Sequence, residues 1–417
     1  MDEQTTLHAE AQLDAARTFA EPWSPRWANP QALLLTGATG FIGLYLLEEL
    51  LRTTDAQIYC LLRAADAEVG ASRLRGLLQQ HGLWQERFGE RIVPVIGDLA
   101  QPDWGLAAAE FRALAARINA IYHNGAWVNA LYPYSRLRGV NVDGTRTALH
   151  FAELGQTKPF FYVSTLAIFL DQPQGEQSIR ETDFPQQPPP SGGYRQSKWV
   201  AEALVRQAQA RGLPASIYRL GRTLGHSHGG HAGKLDDLLY LVLKSCVLLG
   251  QFPAAETTVT LAPVDYVSRA IVYLAQQPDN FGKTLHLGSP HTTTWEAFFA
   301  SVKALGYPLE RIPLAAWKTA LAAHYAQRPD APHAQMMHML SRAPLPIFKP
   351  KPIYDTRVAQ EALAAASLTC PPLDTALLAI YLADLQQCGF LPSPSSATAR
   401  NTGLCSSPTA IALSSST

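Results

Sequence analysis

The sequence carries no surplus of charge of either sign: Lys plus Arg and Asp plus Glu both number 34, so the formal net charge is zero. A chain without a basic excess offers little to a polyanion, which argues against nucleic-acid binding and against an electrostatic hold on a membrane. Cysteine is scarce. The five, Cys60, Cys246, Cys370, Cys388 and Cys405, lie far apart with no C-x-x-C, so they read as reduced structural thiols rather than a disulfide frame or a zinc site. Long apolar runs are missing as well. The most apolar stretch, 235–249, contains Asp236, Asp237 and Lys244, and is too short and too charged to span a bilayer. The first residues, MDEQTTLHAEAQLDAARTF, are acidic and then polar, without the basic start and apolar run of a signal peptide, so a cytoplasmic protein is expected.

What is present is a regular alternation. From Ala32 to Arg222, short apolar β-type runs alternate with helical patterns, the way a parallel sheet with crossover helices is encoded. The expected strands are 32–37, 57–63, 91–98, 120–125, 159–165 and 215–221, each nearly all apolar, as strands buried on both faces must be. Leu44, Leu47 and Leu51 share one helix face, and Trp199, Ala203, Leu204 and Ala208 line part of another. The fold class is therefore α/β, a Rossmann-type doubly wound parallel sheet. PQQPPPSGG, 185–193, is loop by composition and should border the active site, because it ends immediately before Tyr194.

Beyond Arg222 the pattern is less regular. A Gly/His segment, an apolar helix near 235–249, a strand-like TVTLAPV, the helix YVSRAIVYLA, a strand in 284–290 and helices near 293–305, 313–326 and 372–386 suggest a smaller, mostly helical C-terminal substrate lobe. The expected division is a linker-like extension 1–30, a dinucleotide-binding domain 31–225 to which 256–290 returns, a substrate lobe from 226–255 and 291–391, and a disordered Ser/Thr/Pro/Ala tail 392–417.

The first strand runs directly into TGATGFIG, which places Gly37, Gly40 and Gly43, with Thr39, Phe41 and Ile42 between and after them, at a tight turn opening a helix. Gly37 permits the turn, Gly40 lets backbone amides approach a pyrophosphate, and Gly43 lets helix and strand pack closely. The pyrophosphate would sit on the helix N-terminus, where free N–H groups and the dipole favour an anion. At the end of the second strand, where an NAD site carries an acid for the ribose hydroxyls, this chain has Arg63. A cation there suits a 2′-phosphate, with Arg73 as a second contact, so NADPH is the expected cofactor. Asp98 and Leu99 close the third strand beside an adenine, and Asn124, Gly125 and Ala126 close the fourth beside the ribose.

Tyr194 and Lys198 are four apart at the start of a helix and share a face. Their spacing is commonplace, but the order of parts is not: a glycine turn, Asn141 in a helix, Ser164-Thr165 ending the fifth strand, then Tyr194 and Lys198, which is the short-chain dehydrogenase arrangement. Hydride delivery to a carbonyl needs a proton donor at the developing oxyanion. The expected roles are Tyr194 as donor, Thr165 as a partner of the carbonyl oxygen, Lys198 as the charge that lowers the phenol pKa and as a clamp on the nicotinamide ribose, and Asn141 as support for a water relay to Lys198.

Taken together, TGATGFIGLYLLEELL, CLLRA, GDLAQP, HNGAWVNALYPYSRLRGVNVDGT, FYVST and YRQSKWVAE resemble the thioester reductase family, densely from about Leu33 to Leu238. This family includes terminal reductase domains of nonribosomal peptide synthetases and the reductase parts of carboxylic acid and aminoadipate reductases. HNGAWVN with YPYSRLRGVNVDGT is the most specific part, since sugar epimerases share the glycine turn and the Tyr/Lys pair but lack that stretch. LHAEAQLD is similar to the linker that precedes such a domain. The resemblance implies NADPH-dependent reduction of a thioester, collapse of a thiohemiacetal to an aldehyde and a phosphopantetheine thiol, a second reduction to the alcohol in some members, and a phosphopantetheinylated acyl or peptidyl carrier protein as partner. The chain departs from the family's Arg-Pro-Gly after the sixth strand, where Arg219-Leu220-Gly221 puts Leu220 at the nicotinamide contact.

Histidines 226, 228 and 231 in GHSHGGH read as a flexible Gly/His loop rather than a metal site, since hydride transfer from NADPH needs no metal and no acidic ligand is expected next to the cluster. Asp265 reads as a helix-start cap. Two other functions share this scaffold: an NAD(P)-dependent sugar-nucleotide epimerase or carbonyl reductase, and a non-catalytic NADP(H)-sensing module. Sensors commonly lack the Tyr/Lys pair, and both residues stand here.

Overall fold

A computed structural model describes residues 3–19, 23, 25–170, 178–233, 235–330, 334–342 and 345–394. Its centre is a seven-stranded parallel sheet of β1 (Ala32–Thr36), β2 (Gln57–Leu62), β3 (Ile92–Ile96), β4 (Ala120–His123), β5 (Phe160–Thr165), β6 (Ala215–Leu220) and β7 (Thr284–Leu287), ordered β7-β6-β5-β4-β1-β2-β3. Alternate residues of β1 show why both faces are covered. Leu33 and Leu35 join one buried cluster with Leu44 and Leu47, while Ala32 and Leu34 join another with Leu149 and Leu204. A side chain withdrawn fully from water in this way contributes about 1.5–3 kcal/mol.

The helices are α1 (Glu3–Glu10), α2 (Phe41–Thr53), α3 (Ala67–Gln80), α4 (Ala108–Arg117), α5 (Tyr134–Arg138), α6 (Gly144–Glu153), α7 (Gly193–Ala210), α8 (Val264–Ala275) and α9 (Arg357–Ala364), with a π-turn, Gly139–Asp143, joining α5 to α6. Strands β1 and β4 are neighbours, and the chain leaves them in opposite directions across the sheet. The crevice at such a switch point is where open α/β sheets hold ligands.

The chain forms two compact units. The first comprises Met1–Ser227, Thr260–Thr292 and Lys351–Pro372, the second His228–Val259, Thr293–Pro350 and the chain from Leu373 onward. Two segments differ from the sequence expectation. Residues 3–19 are docked in the first unit: Glu10 accepts from the Tyr134 hydroxyl (2.5 Å) and Arg138 Nε (2.8 Å), Arg211 Nη2 donates to the Leu13 carbonyl (3.2 Å), and Leu7 is fully buried. Residues 351–372, expected in the substrate lobe, return to the sheet. The Glu181 carboxylate explains the return, because it accepts from the backbone of His286 on β7 (2.9 Å) and from Val358 and Ala359 in the first turn of α9 (2.9 and 3.0 Å).

The second unit is mostly helical, with Leu238–Leu249, Trp295–Ala304, Leu314–Ala326, Ala334–Arg342 and Thr375–Gln387. Its aromatic core includes Trp295, Phe299, Trp317 and Phe348. The Gly/His segment is anchored here rather than loose: Asp384 Oδ2 accepts from Ala232 N (2.8 Å), and a Cβ at Gly230 would stand 2.5 Å from that of Asp384. In the first unit Asp265, in the first turn of α8, accepts from Ser227 N and Oγ (2.8 and 2.7 Å). Acids therefore do lie against this segment, brought from positions remote in sequence. Cys60, Cys246, Cys370 and Cys388 are free thiols. No helix among the described residues is long and apolar enough to cross a membrane. The expected disordered tail lies outside the described residues from 395 onward, and Cys405 with it.

Candidate active site

The glycine turn is built by close backbone contact. Gly37 has φ +75°, and a Cβ on it would stand 2.7 Å from Gly125 Cα at the end of β4. Gly43 is more constrained still, since a Cβ there would lie 1.9 Å from the Gly37 carbonyl oxygen. Helix α2 is thus pressed onto the turn with no room for a side chain. Gly40 caps α2 without a side-chain hydrogen bond, leaving the first-turn N–H groups free of a competing oxygen. Thr39, Phe41 and Ile42 are partly exposed around that terminus. These features fit a dinucleotide whose pyrophosphate rests on the helix.

The remaining expected cofactor residues gather along the carboxyl edge of the sheet. Asn124 Nδ2 donates to the Gly37 carbonyl (3.4 Å), Leu99 approaches Gly125, and Ala126 is partly exposed. Arg63 and Arg73 meet at the end of β2, Arg73 Nη1 donating to the Arg63 carbonyl (3.3 Å), and Arg63 Nη1 stands 3.8 Å from Asp98 Oδ2. Both arginines are exposed. Leu220 is paired with Thr165 in the sheet, with its side chain buried in the core, so a ligand would meet its main chain.

Thr165 ends β5, partly exposed; its Oγ1 accepts from Ala167 N (3.1 Å), and its hydroxyl is near enough to the Tyr194 phenol to ease that group's raised pKa. Ser164 is turned the other way and donates to Glu202 Oε2 (2.6 Å). Gly193 fixes the start of α7, because a Cβ there would fall 2.3 Å from Tyr134 N. Burial pushes the Tyr194 phenol up to about 12, opposed by the Thr165 hydroxyl. It therefore holds its proton at neutral pH.

One expectation needs correction. Lys198 does not lower the Tyr194 pKa in this arrangement. Its buried Nζ donates to the Tyr162 hydroxyl (2.7 Å) and the Val163 carbonyl (2.8 Å), and burial pulls it down to about 7 against the opposing pull of Glu202. Asn141 is held by the protein itself. Its Oδ1 accepts from Trp127 N (2.7 Å), and its Nδ2 donates to the Trp127 carbonyl (3.2 Å) and Ser197 Oγ (2.9 Å). It sits in the π-turn, the kind of helix irregularity that re-aims a side chain, and ties the 127 loop to the first turn of α7.

Sequence reasoning missed Tyr162, His123 and Thr145, which stand behind Lys198, and Glu202, which forms a fully buried ion pair with Arg219 (2.6 Å). For Glu202 a signal existed: it follows Lys198 by four in YRQSKWVAE and so lies on the same face.

The sequence matches the model of the NAD-binding family described as male sterility protein over residues 35–271. The chain belongs to this family. It is 43% identical over 314 residues to a linear gramicidin synthase polypeptide of Brevibacillus parabrevis, covering 75% of this chain and 6% of that protein. To L-2-aminoadipate reductase of Schizosaccharomyces pombe it is 31% identical over 387 residues, covering 88% of this chain and 27% of that protein. Among solved structures, the terminal R domain from the myxalamid PKS-NRPS biosynthetic pathway superposes with a TM-score of 0.88 at 40% identity, over 94% of this chain and all of that one. The reductase domain of a nonribosomal peptide synthetase from Mycobacterium tuberculosis gives 0.76 at 26%, over 94% and 97%. A UDP-glucuronic acid 4-epimerase from Bacillus cereus, at 18% identity and a TM-score of 0.52, is alike in fold alone. With these relatives the chain is a reductase domain of the peptide synthetase and aminoadipate reductase type, an oxidoreductase with a nicotinamide-binding fold.

Proposed function

We propose that this domain releases an acyl or peptidyl group from a carrier protein by NADPH-dependent reduction of its phosphopantetheine thioester to an aldehyde. The observation that carries the reading is the placement of Thr165, at the carboxyl end of β5, next to a buried and protonated Tyr194, with the Lys198 ammonium one turn further along α7. A bound nicotinamide would supply the hydride. Tyr194 keeps its proton for the oxygen that becomes anionic, Thr165 orients the phenol and offers its hydroxyl to the same oxygen, and Lys198 directs positive charge toward the ribose. Collapse of the resulting thiohemiacetal breaks the C–S bond and frees the carrier thiol. Whether the aldehyde is reduced again depends on its residence in the site.

NADPH is favoured over NADH because two exposed guanidinium groups, Arg63 and Arg73, meet at the end of β2, and two cations there suit a 2′-phosphate. Incubating the protein with NADPH or NADH and a panel of acyl-phosphopantetheine thioesters, then analysing for aldehyde, alcohol and free thiol, tests the reading. Aldehyde and thiol in equal amounts with NADPH support it. Cofactor oxidation with nucleotide sugars or small ketones but with no thioester would refute it.

A further inference from the structure

Lys198 belongs to a longer buried chain of polar groups that lies behind the reacting face. Its ammonium donates to the Tyr162 phenol, and Thr145 stands on the far side of that phenol and eases its raised pKa. Thr145 Oγ1 lies 3.1 Å from His123 Nε2, His123 Nδ1 lies 3.0 Å from Thr36 Oγ1, and Thr36 Oγ1 accepts from Gly125 N (2.9 Å). Tyr162, Thr145, His123 and Thr36 are each at most 3% exposed. The groups come from β1, β4, β5, α6 and α7, so the chain links the glycine turn to the catalytic helix.

One arrangement of protons satisfies every member. Thr145 donates to the Asn141 carbonyl (2.8 Å), so its oxygen is left to accept from His123 Nε2 (3.1 Å). His123 must then carry its proton on Nε2 and accept at Nδ1 from Thr36, whose oxygen in turn accepts from Gly125 N. The Tyr162 phenol oxygen accepts from Lys198 Nζ. The imidazole is locked neutral, with burial and the Lys198 charge pulling it down to about 3. The sequence ends on a backbone amide and cannot conduct protons. It can hold a position.

We propose that Tyr162 is the positioning residue for Lys198, fixed in place by Thr145 and the Nε2-protonated His123. Two of the three ammonium protons are committed, to the Tyr162 phenol and the Val163 carbonyl, and the third has no protein partner among the described residues. The ring of Tyr162 also lies under the ammonium at 4.2 Å, so the cation meets both the oxygen and the face of one side chain. Without the phenol oxygen the ammonium loses an acceptor and its direction. The titratable groups facing Lys198 are Tyr162 on β5, His123 on β4, and Tyr194 and Glu202 on α7. With His123 near 3, Tyr194 near 12 and Glu202 held ionised by Arg219, Lys198 is the group that titrates near neutrality.

This inference rests on the proposed reduction, and the test separates the two. Tyr162→Phe keeps the ring and removes the oxygen. Its kcat should fall by about tenfold to a hundredfold, the factor carried by one hydrogen bond to a charged group, with KM for the thioester unchanged. The limb on which activity declines as pH rises should move to lower pH, since the charged amine has lost an acceptor. Thr145→Val should move the limb the same way by less, and Thr145→Ser should restore it. If Tyr162→Phe does not fold, the Thr145 pair decides. A limb superimposable on that of the unaltered protein in Tyr162→Phe, or in Thr145→Val, overturns the inference. If the unaltered protein reduces no thioester, the proposed function falls, and the affinity for NADPH against pH, read by fluorescence titration, takes over. Weakening that begins at lower pH in Tyr162→Phe supports the role of Tyr162, and coincident profiles overturn it.

Discussion

Replacing Lys198 by methionine should abolish reduction and yet change how the fold's stability depends on pH, in a direction fixed by the burial of the ammonium. Burial takes this group from 10.5 to about 7. Below pH 7 the folded and unfolded chains both carry the proton and the group adds no slope. Between about 7 and 10.5 the unfolded chain keeps a proton that the folded chain has released, so stability rises with pH. The slope starts at about half a proton at pH 7 and approaches one, so the unaltered chain gains about 2 kcal/mol from this group between pH 7 and 9, at 1.36 kcal/mol per proton per pH unit. Methionine cannot titrate. In urea unfolding at the two pH values, Lys198→Met should lack that gain, so the variant's stability relative to the unaltered chain should fall by about 2 kcal/mol from pH 7 to 9. Lys158, itself pulled down to about 8 by burial, is common to both chains and cancels. At pH 7 the variant also sheds the cost of a buried charge, offset by about 1–3 kcal/mol for leaving Tyr162 and Val163 without a donor. Parallel pH dependence in the two chains would refute the reasoning.

Tyr194→Phe should lower kcat by about 10²- to 10⁴-fold, the usual weight of a positioned proton donor, while NADPH affinity by fluorescence titration stays within a few fold. Gly43→Ala should abolish NADPH binding by the same titration, because a Cβ 1.9 Å from the Gly37 carbonyl forces α2 off the turn. Arg219→Met leaves Glu202 ionisable in a dry setting with Ser164, the more distant Arg206 and Lys198 one turn away in place of its bidentate partner, and should cost about 3–5 kcal/mol in urea unfolding. Arg63→Ala combined with Arg73→Ala should raise KM for NADPH about tenfold in steady-state assays and leave that for NADH unchanged, as expected when charge-assisted hydrogen bonds to a phosphate are removed.

The sheet was legible because its strands are buried on both faces and therefore nearly continuous in apolar residues. All six expected strands from 32 to 221 form, with ends shifted by at most two residues, and β7 falls inside 284–290. The glycine turn was legible for the opposite reason, since a backbone approach of 1.9 Å admits one residue type. What could not be read were contacts made by side chains from separate strands. Nothing in the order of residues says that the Trp127 main chain reaches Asn141 across 14 positions. Glu181 gave no sign that it would pull 351–372 back to the sheet, because its three partners are main-chain N–H groups. His123 in AIYHNG reads as the last apolar-run residue of a strand, and its role depends on Thr36 and Thr145 from two other elements.

Helix α7 carries two buried charges a turn apart, Lys198 and Glu202, and treats them differently. Glu202 is matched in charge: Arg219 reaches it through both Nε and Nη2, Ser164 adds a hydrogen bond, and these partners hold its carboxyl below the usual carboxylate range despite burial. Lys198 is matched only in hydrogen bonds, by a neutral phenol and a carbonyl, and its pKa falls accordingly. Had stability alone shaped this face, the cheaper arrangement would pair the two across the helix turn or replace the lysine with an apolar residue, since burying an unmatched ammonium is unfavourable. Glu202 is instead consumed by Arg219, which leaves the ammonium available to an anionic or hydroxyl-bearing ligand at the carboxyl edge of β5. A cation kept dry and only partly answered by Glu202 is what a reductase gains from, because its charge is strongest where water does not screen it and no reorganisation is needed when a ligand's negative charge develops.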